Sequence, residues 1–98
     1  MIRKQADGKS QRTKVTFILP DYEDVGRVSV VGDFNGWAPE EHRLVRRSNR
    51  TRSASLKLPA GQRFSFRYLA EGGHWFNDEA ADGWEPNGYG SDNSVLLT

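Results

Sequence analysis

The sequence predicts an all-β fold, an antiparallel sandwich of about seven strands, on three observations. Apolar residues recur at every second position through most of the chain after residue 13. No stretch of about 11 residues carries them at the i, i+3, i+4, i+7 spacing of a helix. Clusters of Gly, Pro, Asn and Asp cut the alternating runs into short pieces. A chain of 98 residues, 36% hydrophobic and 28% charged, is one small domain with a modest core. That domain is expected over residues 14–98, behind a flexible tail over residues 1–13.

The tail ends in Ser10-Gln11-Arg12-Thr13, lacks periodicity and is rich in polar and basic types. From Lys14 to Leu19, Val15, Phe17 and Leu19 alternate with Thr16 and Ile18, and from Arg27 to Val31, Val28 and Val30 share one face. Pro20 to Gly26 between them has turn composition. Gly32-Asp33-Phe34-Asn35-Gly36-Trp37 breaks the second strand into a shaped loop that sets a tryptophan beside Ala38-Pro39. Leu44 to Arg46 is a short strand, Ser48 to Thr51 a turn, and Ser53 to Leu58 a strand with Ala54, Leu56 and Leu58 on one side. After Pro59-Ala60-Gly61, the stretch Gln62 to Leu69 reads most clearly, with Phe64, Phe66 and Tyr68 on one face and Arg63, Ser65, Arg67 and Leu69 on the other. Glu71-Gly72-Gly73 signals a tight hairpin returning through His74 to Asn77. Asp78 to Asp92 reads as a long loop, and Ser94 to Leu97 as the last strand.

Composition excludes several classes of function. No cysteine is present, which removes disulfides, thiolate nucleophiles and cysteine-ligated metals, and only His42 and His74 are available as histidine ligands, so no metal or cofactor is expected. No apolar run approaches the ~18 residues of a membrane span, and Met1-Ile2-Arg3-Lys4-Gln5 leads into polar residues, so a cytoplasmic location away from membranes is expected. The net charge of +1 hides a segregation: His42 to Lys57 holds six basic and no acidic residues, and Glu71 to Asp92 holds six acidic residues and no Lys or Arg. Such runs either steer a partner or let two edges of the fold attract each other. No nucleophile elbow, phosphate loop or calcium ladder occurs. Asp78 and Glu79 form the nearest pair of carboxyls, but adjacent residues of an extended chain point to opposite faces, and the chain is not expected to be an enzyme.

The aromatic residues carry the functional signal. Phe17, Phe64, Phe66 and Tyr68 fit the apolar faces of strands. Trp37, Trp75, Trp84 and Tyr89 instead lie in or beside loops rich in Gly, Asn, Pro or Asp, where they either plug the end of the sandwich or meet a ligand with a flat apolar face. A sugar ring supplies such a face, its C–H groups stacking on the indole while its hydroxyls take planar donors and acceptors. Asn35, Arg67, Asn77, Asn87, Asp92 and Asn93 are suitable partners near Trp37 and Trp75. Nucleic acid is the competing flat ligand, but these loops sit in the acidic stretch, which opposes phosphate, and no nucleic-acid partner is expected.

Val30-Val31-Gly32-Asp33-Phe34-Asn35-Gly36-Trp37, Leu58-Pro59-Ala60-Gly61, Phe64-Ser65-Phe66-Arg67-Tyr68, Gly73-His74-Trp75-Phe76-Asn77-Asp78 and Asn93-Ser94-Val95-Leu96 follow one another in an order that resembles the family-48 carbohydrate-binding modules. These are the isoamylase-type early-set domains of glycogen-branching and debranching enzymes and the glycogen-binding domain of the AMP-activated protein kinase β subunit. The resemblance runs from about Val15 to Leu97 and implies an immunoglobulin-like sandwich that binds α-1,4-linked glucan (glycogen, starch or maltooligosaccharide) without cleaving it. By position, Trp37 and Trp75 match the two stacking tryptophans of the kinase-type modules. Arg67 stands where those modules carry a lysine, and Asp92 and Asn93 stand on their Asn-Asn pair. Both replacements change the hydrogen-bonding geometry, since a planar fork is not a point ammonium and a carboxylate offers no N–H. The loop Ala80 to Gly90 differs from the kinase-type module and is closer to small free-standing bacterial members. With Asn35 and Tyr89 the candidate site is complete, and a glycogen-metabolising enzyme is an expected partner. The alternative is a docking or regulatory sandwich without sugar binding, with both tryptophans packed inward and the Arg43 to Arg52 edge as its working surface.

Overall fold

The computed structural model describes residues 1–21, 26–88 and 90–98; Tyr22 to Val25, inside the expected Pro20–Gly26 turn, and Tyr89 lie outside the described residues. Two antiparallel sheets make a β-sandwich. One sheet orders β1 (Ile2–Asp7), β2 (Arg12–Pro20), β5 (Thr51–Pro59) and β4 (Val45–Arg46); the other orders β3 (Val28–Gly32), β6 (Arg63–Ala70), β9 (Asp92–Leu97) and β8 (Gly83–Pro86), with β7 (His74–Phe76) also paired to β6. Strands one, two, five and four facing three, six and nine reproduce the ABED and CFG sheets of a constant-type immunoglobulin sandwich.

The alternation in β2 sets the core. Thr13, Val15, Phe17 and Leu19 are buried while Arg12 and Lys14 are exposed. Phe17 meets β6 across the sandwich, its ring 5.2 Å from Phe66 and 6.3 Å from Tyr68, both edge-on, and 5.8 Å from Phe34. Edge-to-face packing of this kind adds about 0.5–1.5 kcal/mol per pair beyond the area buried. Val30, Leu58 and Leu96 close around these rings. β3 is buried along its whole length rather than on one face, because residues 42–44 cover its free edge: Val30 N–H donates to the His42 carbonyl and Leu44 N–H to the Val28 carbonyl. Leu44 therefore enters the core, and β4 begins one residue later than the alternation suggested.

Two strands stand where the sequence suggested none. The expected tail over residues 1–13 is replaced in part by β1, which pairs with β2 from Ile2 opposite Phe17 to Asp7 opposite Arg12. Its core-side positions are Ile2, Lys4 and Ala6, so a charged residue sits where alternation would demand an apolar one. Lys4 is accommodated by Asp82, its ammonium 2.6 Å from Oδ2. Burial pushes the Asp82 carboxyl up, but the Lys4 hydrogen bond and the Leu97 N–H outweigh it and hold the group below its ordinary value. β8 lies inside the expected long loop Asp78–Asp92 and pairs with β9 from Gly83 opposite Val95 to Pro86 opposite Asp92. Its pairing comes from a distant strand, which no local pattern in Gly83-Trp84-Glu85-Pro86 announces.

Among the described residues, the ion pairs of the two charge runs are made with other segments: Arg46 and the buried Arg52 to Asp21 at 3.1 and 2.8 Å, Arg43 to Glu40 at 3.1 Å, and Glu85 to Arg63 at 2.9 Å. The Arg52 hydrogen bond is the main cause holding the Asp21 carboxyl below its usual range. No described helix is long and apolar enough to cross a membrane.

Candidate functional site

The outward face of the second sheet carries the site. Strand periodicity fixes what points outward from β6: Phe66 and Tyr68 go to the core, and Arg67 between them goes to the other side, opposite Val31 of β3. Trp75 of β7 pairs with Leu69 and so shares this face. On β9, Ser94 is fully buried opposite Phe66, and its neighbour Asn93 therefore turns outward.

Trp37 reaches the same face by a tightly built loop. Gly32 is extended, and a Cβ there would lie 2.5 Å from the Ser65 carbonyl oxygen and 2.8 Å from the Phe66 Cβ, so only glycine lets β3 approach β6 this closely. Asp33–Asn35 forms a 3₁₀ turn ended by Gly36 and Trp37, both left-handed at φ 64° and 58°. A non-glycine residue in that region costs of order 1 kcal/mol and persists only when its surroundings hold it. Three hydrogen bonds hold it here. Trp37 N–H donates to the Gly32 carbonyl at 2.9 Å, the indole Nε1–H donates to Asp33 Oδ1 at 3.0 Å, and Asp33 Oδ2 accepts the Ser65 N–H at 2.7 Å. Asp33 thus ties the indole to the backbone of β6. The indole N–H is spent on this tie, which leaves Trp37 its ring face for a ligand.

Trp37, Arg67, Trp75, Asn87, Ser91 and Asn93 line one open cavity of about 370 Å³. The Arg67 guanidinium carbon lies 6.0 Å from the Trp75 ring centroid, at the outer limit of a cation–π contact. Its Nε is enclosed, and among the described residues no group accepts from Arg67. Asn87 Nδ2 reaches Asn93 Oδ1 at 3.5 Å, and the Asn87 N–H donates to the Ser91 carbonyl at 3.0 Å, which shapes the loop between β8 and β9 into a wall. Trp75 is 43% exposed and Trp37 half-buried. Two ring faces, one cation, two amides and a hydroxyl suit a neutral ligand with an apolar face and a polar rim. Among the described residues, no carboxylate lines the cavity.

Five predicted residues, Trp37, Trp75, Arg67, Asn87 and Asn93, meet in this cavity. Asn35 does not line it: its Oδ1 accepts the Gly32 N–H at 3.0 Å and its Nδ2 donates to the Val30 carbonyl and to His42 Nδ1, each at 3.0 Å, so it staples the loop beneath Trp37. Asp92 does not line it either. It is exposed one residue before Asn93, and the two-residue period sends its side chain to the opposite side, while its carbonyl accepts from Asn77 Nδ2 at 2.9 Å. Tyr89 lies outside the described residues. Trp84, 53% exposed on β8, is paired with Ser94 and points away from the cavity. Asp78 is buried and committed to structure, its Oδ2 accepting the Tyr68 hydroxyl at 2.6 Å and its Oδ1 the Ala80 N–H at 2.8 Å; burial first, and then this carboxylate, push the Tyr68 phenol well above its ordinary value. Ser91 and the positioning role of Asp33 went unread in the sequence. A carboxylate four residues before a loop tryptophan was the available signal for the second. No protein-family model matches the chain, and no curated protein matches it.

Proposed function

We propose that the chain is a non-catalytic, cytoplasmic module that binds α-1,4-linked glucan, with Trp37 and Trp75 as stacking platforms and Arg67, Asn87 and Asn93 as hydrogen-bonding partners of sugar hydroxyls. The observation that carries this reading is the convergence of two tryptophans, one from the loop after β3 and one from β7, on one open cavity with a cation and two amides. The resemblance to family-48 carbohydrate-binding modules in the segments that hold Trp37, Arg67, Trp75 and Asn93 supports it. The docking alternative needs both indoles packed inward, and the exposure of Trp75 speaks against it. A shallow, open site with stacking worth about 0.5–1.5 kcal/mol per ring implies dissociation constants on the order of 0.1–1 mM. Calorimetric titration with maltoheptaose tests this. Binding in that range, abolished by Trp75→Ala, supports the reading; no heat of binding at ~10 mM sugar refutes it.

A further inference from the structure

The opposite face of the sandwich carries a basic surface. Sheet register places Arg3 and Gln5 of β1, Arg12 and Lys14 of β2 and Lys57 of β5 on the outward side of the first sheet, because their neighbours Val15, Phe17 and Leu56 face the core. Lys9 joins them from the turn between β1 and β2. All five cations are exposed. Asp7 is the one acidic residue among these strands and their turn, and it is occupied: it accepts the Lys9 N–H at 3.2 Å and the Ser10 hydroxyl at 2.7 Å, leaving Lys57 at 4.0 Å. These bonds, the Ser10 one first, hold its carboxyl below the ordinary value. Among the described residues, the side chains of Arg3, Lys9, Arg12 and Lys14 make no hydrogen bond or ion pair. Lys14 and Lys57 are also direct partners across β2 and β5, a like-charge juxtaposition that destabilises a sheet unless an anion lies between the two ammoniums.

These groups surround a depression. Lys9, Lys14 and Lys57, with Gln5, Ala6, Asp7 and the bare backbone of Gly8, line an open cavity of about 580 Å³ where nothing lies within 4 Å of the Gly8 Cβ position, so three cations share it with one carboxylate. We propose that this cavity is an anion site for a phosphoryl group. Three lysine ammoniums around one cavity, from β2, from β5 and from the turn before β2, act as point charges that suit a tetrahedral dianion, whereas a planar carboxylate is better met by the fork of an arginine. Among the described residues, no aromatic side chain projects from this face to stack a base or enter a bilayer, so recognition rests on charge and hydrogen bonds. In the basic surface expected at Arg43 to Arg52, Arg43, Arg46 and Arg52 are paired with Glu40 and Asp21, whereas among the described residues of this face Lys57 alone of the five cations has an acidic neighbour, Asp7 at 4.0 Å.

Inorganic pyrophosphate, titrated at low salt while the backbone amides of residues 7–9, 14 and 57 are followed by NMR, tests the site. A saturable shift confined to those residues is expected. Lys14→Gln/Lys57→Gln should weaken it roughly tenfold while melting no lower than the parent, since the repulsive pair is gone. Arg50→Gln removes the same kind of charge about 20 Å away along β5 and should leave binding within about twofold. Long-chain polyphosphate in a parallel arm separates the source of the phosphoryl group: dependence on Arg3 and Arg12 marks an extended polyanion, and its absence a compact phosphoester. Shifts that never saturate, an equal effect of Arg50→Gln, or unchanged affinity in the double variant would overturn the proposal.

Discussion

Asp33 is the lever on which the position of Trp37 turns, and Asp33→Ala isolates it. The substitution removes two hydrogen bonds to a carboxylate, one from the indole Nε1–H at 3.0 Å and one from the Ser65 N–H at 2.7 Å. Bonds to charged groups are worth about 1.5–3 kcal/mol each when buried, but Asp33 is exposed, and water replaces much of what is lost. The net cost to stability is therefore about 1–2 kcal/mol in urea unfolding. Without the tie, the left-handed conformation at Trp37 is held only by its N–H bond to the Gly32 carbonyl, and relaxing it moves the ring out of the cavity. A five- to tenfold loss of glucan affinity, roughly 1–1.4 kcal/mol, should follow. Because Asp33 acts through the indole N–H, the effect is not additive: Trp37→Phe keeps a ring face and removes the donor, and Asp33→Ala should cost little further affinity in that background. Faster solvent exchange of the Trp37 indole proton in Asp33→Ala gives a readout independent of sugar. Unchanged affinity and unchanged indole exchange, with stability alone reduced, would show that Asp33 is only a structural bond to β6.

Two further outcomes follow from the packing and the charges. Phe17→Ala empties the centre of the aromatic cluster, where the ring is fully buried among Phe34, Phe66 and Tyr68, and should cost about 3–5 kcal/mol in urea unfolding; a loss under ~1 kcal/mol would mean the sheets do not meet at this residue. The lowered pKa of Asp82 means that the unfolded chain binds more protons than the folded one between the two values, so its contribution is present above the unfolded value of about 3.9 and is lost as pH falls toward the folded one. Asp82→Asn should be less stable at pH 7 and should lose stability less steeply below about pH 4, with β1 amides exchanging faster; an unchanged acid limb would contradict the Lys4–Asp82 link.

The fold was legible wherever an element buries one face locally. β2 and β6 could be read because Val15, Phe17 and Leu19, or Phe66 and Tyr68, alternate without interruption. β1 could not, because Lys4 occupies a core-side position and is satisfied by a residue 78 positions away. β8 could not, because Trp84 and Pro86, which share the side of the sheet that faces the core, are both exposed, and β9 alone decides its pairing. At the site, strand period was enough to aim Arg67 outward, whereas Asn93, placed before the expected last strand, was pointed to by residue type and by the family resemblance. Asn35 shows the limit of residue type as a guide, since an asparagine near a tryptophan is equally suited to cap a loop or to bind a hydroxyl, and only the distances to Gly32, Val30 and His42 distinguish the two. Ser91 becomes visible once β8 and β9 fold their connecting loop over the cavity.

The most direct test of the binding account is an NMR titration with maltoheptaose that follows the three indole N–H signals separately. Saturable shifts at Trp37 and Trp75 with a midpoint on the order of 0.1–1 mM, and a Trp84 signal that stays in place, are predicted. Stationary Trp37 and Trp75 signals at ~10 mM sugar, or a response confined to Trp84, would contradict it.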